Sequence, residues 1–230
     1  MAVEKGNKRR IRRDTGPRLT ERDLLALCLT GEQYALRFDQ VQRWLGAHAK
    51  AETLVPGVLS DSATRHTVDR WELAGLVEWK KILADEPAYL WLTTAGLHAA
   101  GLPFRRFVPA PASLRHIYCC TQVRLALERS GYTWQSERWL RSDLDQKIKR
   151  VKLPDAHLSA QGGVPIAVEV ELTQKNVLKL AEILKDRSLV YASTWYFAPA
   201  PVCRAVQAAC SQLDEMYQKR IHVYDIQEVL

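Results

Sequence analysis

Long apolar runs are missing from this chain. No stretch of 18 or more apolar residues occurs, so no membrane-spanning helix is expected. The charged N-terminus is not followed by an apolar segment, so it does not read as a secretory signal, and a cytoplasmic, DNA-facing protein with no membrane partner is expected. Paired cysteines are also missing. Cys28, Cys119, Cys120, Cys203 and Cys210 form no Cys-x-x-Cys motif, and no histidine cluster has zinc-finger spacing, so no zinc-finger module is expected. The five thiols read as small buried side chains in a reducing compartment.

Acidic residues are scarce where the basic ones are dense. The net charge is +7 over 230 residues. Residues 1–22 hold Lys5, Lys8, Arg9, Arg10, Arg12, Arg13, Arg18 and Arg22 against Glu4, Asp14 and Glu21. That is a local +5, which leaves +2 for the rest of the chain. A concentrated basic arm over 1–18 suits a phosphate backbone or a minor groove. Taken alone, the same arm is equally well read as a solvated tail.

Residues 19–103 follow with a definite order of signals. Thr20 caps a helix with Asp23 in its first turn, Leu24, Leu25, Leu27 and Cys28 are expected to form its apolar face, and Gly31 is expected to close it. A second helix is expected over 38–48, with Phe38, Val41, Trp44 and Leu45 at helical spacing. A third begins at Ser60-Asp-Ser62 and ends at Ala74-Gly75. Thr64, Val68 and Trp71, with Thr67 beside them, fall on one face; Ser62, Arg65, His66, Asp69 and Arg70 fall on the other. Such a helix can pack with one side and present donors to a major groove with the other.

After Gly75 the period changes from helix to strand. Residues 77–83 and 88–92 flank a short polar turn and read as a hairpin carrying Lys80 and Lys81. A short helix follows at Leu92-Thr-Thr-Ala-Gly-Leu97. This ordered set resembles bacterial winged helix-turn-helix regulators over about 80 residues. The resemblance implies binding of double-stranded DNA through Ser62, Arg65, His66, Asp69, Arg70, Lys80 and Lys81, assisted by Arg9, Arg10, Arg12 and Arg13. A winged helix used only for protein contacts is the alternative.

Residues 104–112 form a Pro-rich linker, with Pro103, Pro109 and Pro111 in or beside it. Residues 113–230 read as a helix, a short strand near 132–135, a polar stretch, a strand over 153–158, a turn at Gln161-Gly-Gly163 and a strand over 166–172. A helix over 175–187, a strand over 190–197, a helix over 201–216 and a last strand complete the unit. The expected fold class is α/β and α+β, the second unit being a mixed α/β sheet covered by helices.

Within that unit, Pro154-Asp155 precedes one strand, and Glu169 and Glu171 alternate on the next. Residues i and i+2 of a strand share a face, so these two carboxylates are expected together, with Asp155 joining them across a hairpin. Three carboxylates can hold Mg2+ or Mn2+ through oxygen. They can equally be the wet face of an amphipathic strand. His116 reads as a hydrogen-bonded packing residue. Lys147, Lys149, Arg150 and Lys152 read as a solvated loop able to touch phosphates.

The order α-β-β-β-α-β with Pro154-Asp155 and Glu169-x-Glu171 resembles the PD-(D/E)XK nucleases, a restriction-endonuclease-like fold. The resemblance implies that Asp155 and Glu169 are metal-binding acids and that Glu137 is an extra upstream acid. The family's lysine position holds Glu171 here. Lys175 is the substitute the resemblance suggests for stabilising charge at the attacked phosphate. The whole chain is also similar to the bacterial replication-relaxation family, on Leu114-Arg-His116, Glu137-Arg138, Leu153-Pro-Asp-Ala156 and Ala167-Val-Glu-Val-Glu-Leu-Thr173. That similarity implies a protein acting on plasmid or mobile-element DNA.

Three functions fit these readings. One is a DNA-binding regulator whose nuclease-like domain has become a scaffold or homodimerisation module. The second is a metal-dependent DNA endonuclease or nickase. The third is an accessory factor for a relaxase, replication or transposition machine. Glu171 at the lysine position favours the first and third, and the retained acids favour the second. Whether the chain is an enzyme stays open at this level.

Overall fold

A computed structural model describes residues 18–49, 53, 55–144, 152–159 and 163–230. Among these residues the chain is mixed α/β with two sheets. The basic arm, including Arg9, Arg10, Arg12 and Arg13, lies outside the described residues, as do Lys147, Lys149, Arg150 and most of the Gln161-Gly-Gly163 turn.

The first sheet has the order β1-β3-β2, from β1 (Leu36–Arg37), β2 (Val77–Lys80) and β3 (Tyr89–Leu92), all antiparallel. Helices α1 (Glu21–Glu32), α2 (Phe38–Ala47), α3 (Asp61–Leu73) and α4 (Thr94–Ala99) belong to the same unit. The hairpin register pairs Val77 with Leu92 and Lys80 with Tyr89. β1 was not expected. It is only two residues long and has no periodicity of its own; it exists because Leu36 and Arg37 pair with Leu90 and Tyr89.

Local chemistry sets the helix ends. Thr20 and Asp23 form a reciprocal capping box at α1, and Ser60 caps α3 by accepting the Ala63 N–H. α3 stops at Ala74 because Gly75 turns left-handed at φ 70°, which lets the Leu76 N–H reach back to the Trp71 carbonyl at 2.9 Å. Gly96 lets α4 approach the Leu76 carbonyl, since a Cβ there would sit 1.9 Å from that oxygen.

The apolar face of α1 differs from expectation. Leu24 and Leu25 are exposed, while Ala26, Leu27 and Leu29 are buried. Gly31 lies inside the helix rather than closing it, packed so closely that a Cβ would meet Leu102 and Leu92. The core of this unit is built from Leu27, Leu45, Val68, Trp71, Leu90 and their neighbours.

The second sheet has the order β4-β5-β6-β7-β8: β4 (Thr133–Ser136), β5 (Ala156–Ser159), β6 (Ile166–Val170), β7 (Ser193–Ala198) and β8 (Ile221–Asp225). The β4-β5 and β5-β6 pairs are antiparallel; β6-β7 and β7-β8 are parallel. Helix α5 (Pro111–Arg129) contributes Cys119, Cys120, Val123 and Leu127 to the core on one face. Helices α7 (Val177–Val190) and α8 (Ala200–Cys210) close the other face through Leu180, Leu184, Val202 and Val206.

Several boundaries move. Pro111 starts α5 at its first turn, where a missing N–H costs nothing, so the helix begins inside the Pro-rich stretch. The polar stretch contains α6 (Glu137–Ser142). The expected helix over 201–216 divides into α8 and α9 (Glu215–Gln218). β5 starts after Asp155 and β6 ends before Glu171.

The two units are bound to one another by polar contacts as well as apolar ones. Glu32 accepts from Arg124 at 2.6 Å and from the Trp139 indole at 2.9 Å. Arg138 donates to the carbonyls of Gly31 and Arg105 and lies against the rings of Tyr34 and Phe104. Tyr34 takes the left-handed conformation at φ 70°, uncommon for a residue with a Cβ, and its hydroxyl donates to Glu137. A smaller cluster of Ala35, Trp91 and Ile117 fills the junction.

Candidate functional site

Two places bring together the residues singled out from the sequence. The first is the outer face of α3 and the neighbouring hairpin. Val68 and Trp71 are fully buried, and Thr64 and Thr67 lie beside them. Ser62, Arg65, His66 and Asp69 are exposed on the opposite side. This is the division the helical period predicts.

Arg65 is held rather than free. Its guanidinium lies 5.1 Å from the Phe38 ring centre and 5.8 Å from that of Trp79, with Asp61 at 3.4 Å. Both members of the Arg65–Asp61 pair are more than half exposed, so the pair adds little stability and yields readily to another anion. Arg65 lines a cavity of ≈ 380 Å³ together with Phe38, Trp79, Lys80, Lys81 and Glu86. Lys80 is exposed, with Glu78 at 3.9 Å.

Arg70 is the exception on this face. Its guanidinium donates to Asp23 at 2.6 Å instead of extending outward. Asp23 is fully buried and also accepts the Trp71 indole N–H at 3.1 Å and both the N–H and hydroxyl of Thr20 at 2.8 Å. The expectation that Arg70 faces a groove is therefore corrected. A buried carboxylate needs a positive partner, and Arg70 is within reach.

The second place is the end of the five-stranded sheet where β5 begins and β6 ends. Ala156 pairs with Val168, which sets Asp155 opposite the end of β6. One Asp155 oxygen accepts the Val170 N–H at 2.7 Å, and the other lies 3.0 Å from Nε2 of His116 on α5. His116 Nε2 also lies 3.3 Å from the Cys120 sulfur, one helical turn on.

Glu169 sits on β6, and one of its oxygens accepts from Arg187 of α7 at 3.0 and 2.9 Å. Burial, with the negative charge of Asp155 adding to it, pushes the Glu169 carboxyl up to about 8; Arg187 and Lys175 oppose that rise. Burial lowers the His116 imidazole, but its hydrogen bond to Asp155 and the charges of Asp155, Glu171 and Glu169 outweigh this and raise it. The Cys120 thiol is held well above its ordinary value by burial first and by Asp155 second.

Glu171 follows directly after β6. It is buried, its carboxylate accepts from the Thr173 hydroxyl at 3.0 Å, and it pairs with Lys175. Glu171 lies one residue past the end of β6, yet its N–H still donates to the Phe197 carbonyl of β7 at 3.0 Å, so what distinguishes it from Glu169 is its side-chain partner. Lys175 does approach the cluster, though through its pair with Glu171. Glu137 touches Asp155 only by its backbone, donating its N–H to the Asp155 carbonyl at 2.9 Å. Its carboxylate is taken by Tyr34 and by Arg141, so the expectation of an extra upstream acid in the cluster is corrected as well.

The three carboxylates expected to hold Mg2+ or Mn2+ each carry another partner: His116 and Val170 for Asp155, Arg187 for Glu169, Lys175 and Thr173 for Glu171. They do not form an oxygen cage for a hard cation. His116 and Cys120 were read in the sequence as a hydrogen-bonded packing residue and a buried thiol, and Arg187 was not singled out. His116 and Cys120 had one signal, their i, i+4 spacing; Arg187 falls on the same helical stripe as Leu180 and Leu184. No family model matches this chain, and no curated protein is significantly similar to it. Among the described residues, no helix is long and apolar enough to cross a membrane.

Proposed function

We propose that this protein binds double-stranded DNA through α3 and the β2-β3 hairpin, as a regulator or accessory factor acting on plasmid or mobile-element DNA. The observation that carries the reading is the two-sidedness of α3. Val68 and Trp71 have no exposed surface, while Ser62, Arg65, His66 and Asp69 are exposed beside Lys80 and Lys81. A helix anchored by one face can enter a major groove with the other, and hairpin lysines beside it can take phosphates. The element order, three helices followed by a hairpin and a short helix, supports a winged helix-turn-helix. In the sequence, the basic arm over 1–18 directly precedes this unit.

The second unit is read as a nuclease-like PD-(D/E)XK domain that does not cleave DNA. Supporting this, Glu169 and Glu171 are each engaged by a cation of the chain itself, Arg187 for Glu169 and Lys175 for Glu171. A second reading, a metal-dependent endonuclease or nickase, is favoured by one observation: Asp155 and Glu169 lie close enough for the charge of one to raise the carboxyl of the other.

One pair of assays tests both readings. Wild-type protein is expected to shift duplex DNA in fluorescence anisotropy, and Arg65→Ala is expected to lose about 1–3 kcal/mol of discrimination between preferred and random duplexes. Supercoiled plasmid with Mg2+ or Mn2+ is expected to remain uncut. An Arg65→Ala protein with full sequence preference overturns the α3 assignment. Nicking that disappears in both Asp155→Ala and Glu169→Ala establishes the nuclease reading instead.

A further inference from the structure

The start of β5 carries three donor atoms of three different kinds on one side of the sheet. His116 and Cys120 are four residues apart on α5, so they project to the same side one turn apart. Asp155 approaches them from the residue just before β5. His116 Nε2 lies 3.0 Å from an Asp155 oxygen and 3.3 Å from the Cys120 sulfur, and all three donor atoms fall within 4.8 Å of one another. The second Asp155 oxygen is fixed by the Val170 N–H at 2.7 Å, which orients the carboxylate and leaves its other oxygen turned to the imidazole.

We propose that His116, Cys120 and Asp155 form a three-ligand site for a borderline transition-metal ion, best matched by Zn2+, which ties α5 to the start of β5. Tetrahedral zinc with bonds of about 2.0–2.3 Å to nitrogen, oxygen and sulfur separates its donors by roughly 3.3–3.7 Å. The observed separations differ from this by tenths of an ångström for two pairs, within reach of small χ adjustments. The sulfur decides the class of ion, because thiolate and imidazole suit Zn2+ and its neighbours, whereas Mg2+ and Ca2+ take oxygen. Charge also balances: one carboxylate and one thiolate neutralise a dication. Among the described residues no Lys or Arg pairs with Asp155, whereas Glu169 and Glu171 each have one. Binding releases the Cys120 thiol proton, and the proton of His116 Nε2 where present, to solvent, with no change of oxidation state. Three protein ligands leave the fourth position to water or another oxygen donor.

The inference rests on the second unit alone and does not depend on DNA binding. Its test uses the full chain, stripped with a chelator and titrated with Co2+ as a spectroscopic stand-in for Zn2+. The expected result is one equivalent bound per chain, with thiolate-to-cobalt charge-transfer absorption in the near ultraviolet and intense visible bands of tetrahedral cobalt. Zn2+ displaces the signal and excess Mg2+ does not. Cys120→Ser, close to isosteric, removes the charge-transfer band. Asp155→Asn and His116→Ala weaken binding by at least roughly 10–100-fold. Cys210→Ser leaves the signal intact. Absence of charge-transfer absorption in the wild-type protein overturns the proposal, and so does a band that persists in folded Cys120→Ser. The wild-type titration needs no variant, so a misfolded mutant cannot protect the idea.

Discussion

Replacing Asp23 with alanine removes the acceptor on which the N-terminus of α1 and the last turn of α3 meet. Asp23 has no exposed surface and accepts from four groups: the Thr20 N–H and hydroxyl, the Arg70 guanidinium and the Trp71 indole. The magnitude follows from these partners. Loss of the capping box costs about 1 kcal/mol. The Trp71 N–H, in a side chain with no exposed surface, loses its acceptor at a cost of about 1–3 kcal/mol. The Arg70 side chain is 37% exposed and can turn to water, so its share is below about 1 kcal/mol. The expected total is about 3 kcal/mol, a large part of a typical domain stability of about 5–15 kcal/mol. Urea denaturation should show a lower midpoint at an unchanged slope. Asp23→Asn, which retains one oxygen acceptor, should cost clearly less. Arg70→Ala should cost about 1 kcal/mol and leave DNA sequence preference untouched, unlike Arg65→Ala. If Asp23→Ala costs less than about 1 kcal/mol, or if Arg70→Ala alters sequence preference more than stability, the role assigned to this buried carboxylate is refuted.

Deleting residues 1–18 should weaken duplex binding and flatten its salt dependence, since each phosphate contact contributes about 0.9 to the slope of log affinity against log salt; an unchanged slope in the truncated protein means the arm touches no phosphate. The Glu169 carboxyl, raised from 4.5 to about 8, makes stability depend on pH in a defined direction. Between those values the unfolded chain binds fewer protons at this group than the folded one, so stability falls as pH rises through the window. Glu169→Gln, which stays neutral, should show a shallower fall between about pH 5 and about pH 8 in thermal denaturation. Equal slopes in variant and wild type would rule out the buried, negatively surrounded carboxyl.

Much of the local architecture was legible in the residues themselves. Ser60 and Gly75 delimit α3 because a cap oxygen and a left-handed turn act over three or four residues. The buried stripe of Thr64, Val68 and Trp71 follows from helical period, and the hairpin from two apolar runs around a polar turn. The acids Asp155, just before one strand, and Glu169, on the next, were likewise visible as residue types.

What escaped was the choice of partners. Arg70 has the spacing of a groove-facing residue, yet it turns to Asp23, 47 positions earlier, because a carboxylate with no access to water draws the nearest guanidinium. Glu171 has strand alternation with Glu169, yet β6 ends at Val170 and Glu171 pairs with Lys175. His116 meets Asp155 across 39 positions, and Arg187 meets Glu169 across 18. Periodicity states which face of an element a side chain occupies. Which charge waits on the facing element, and whether water reaches between them, is decided only when the helices pack against the sheet.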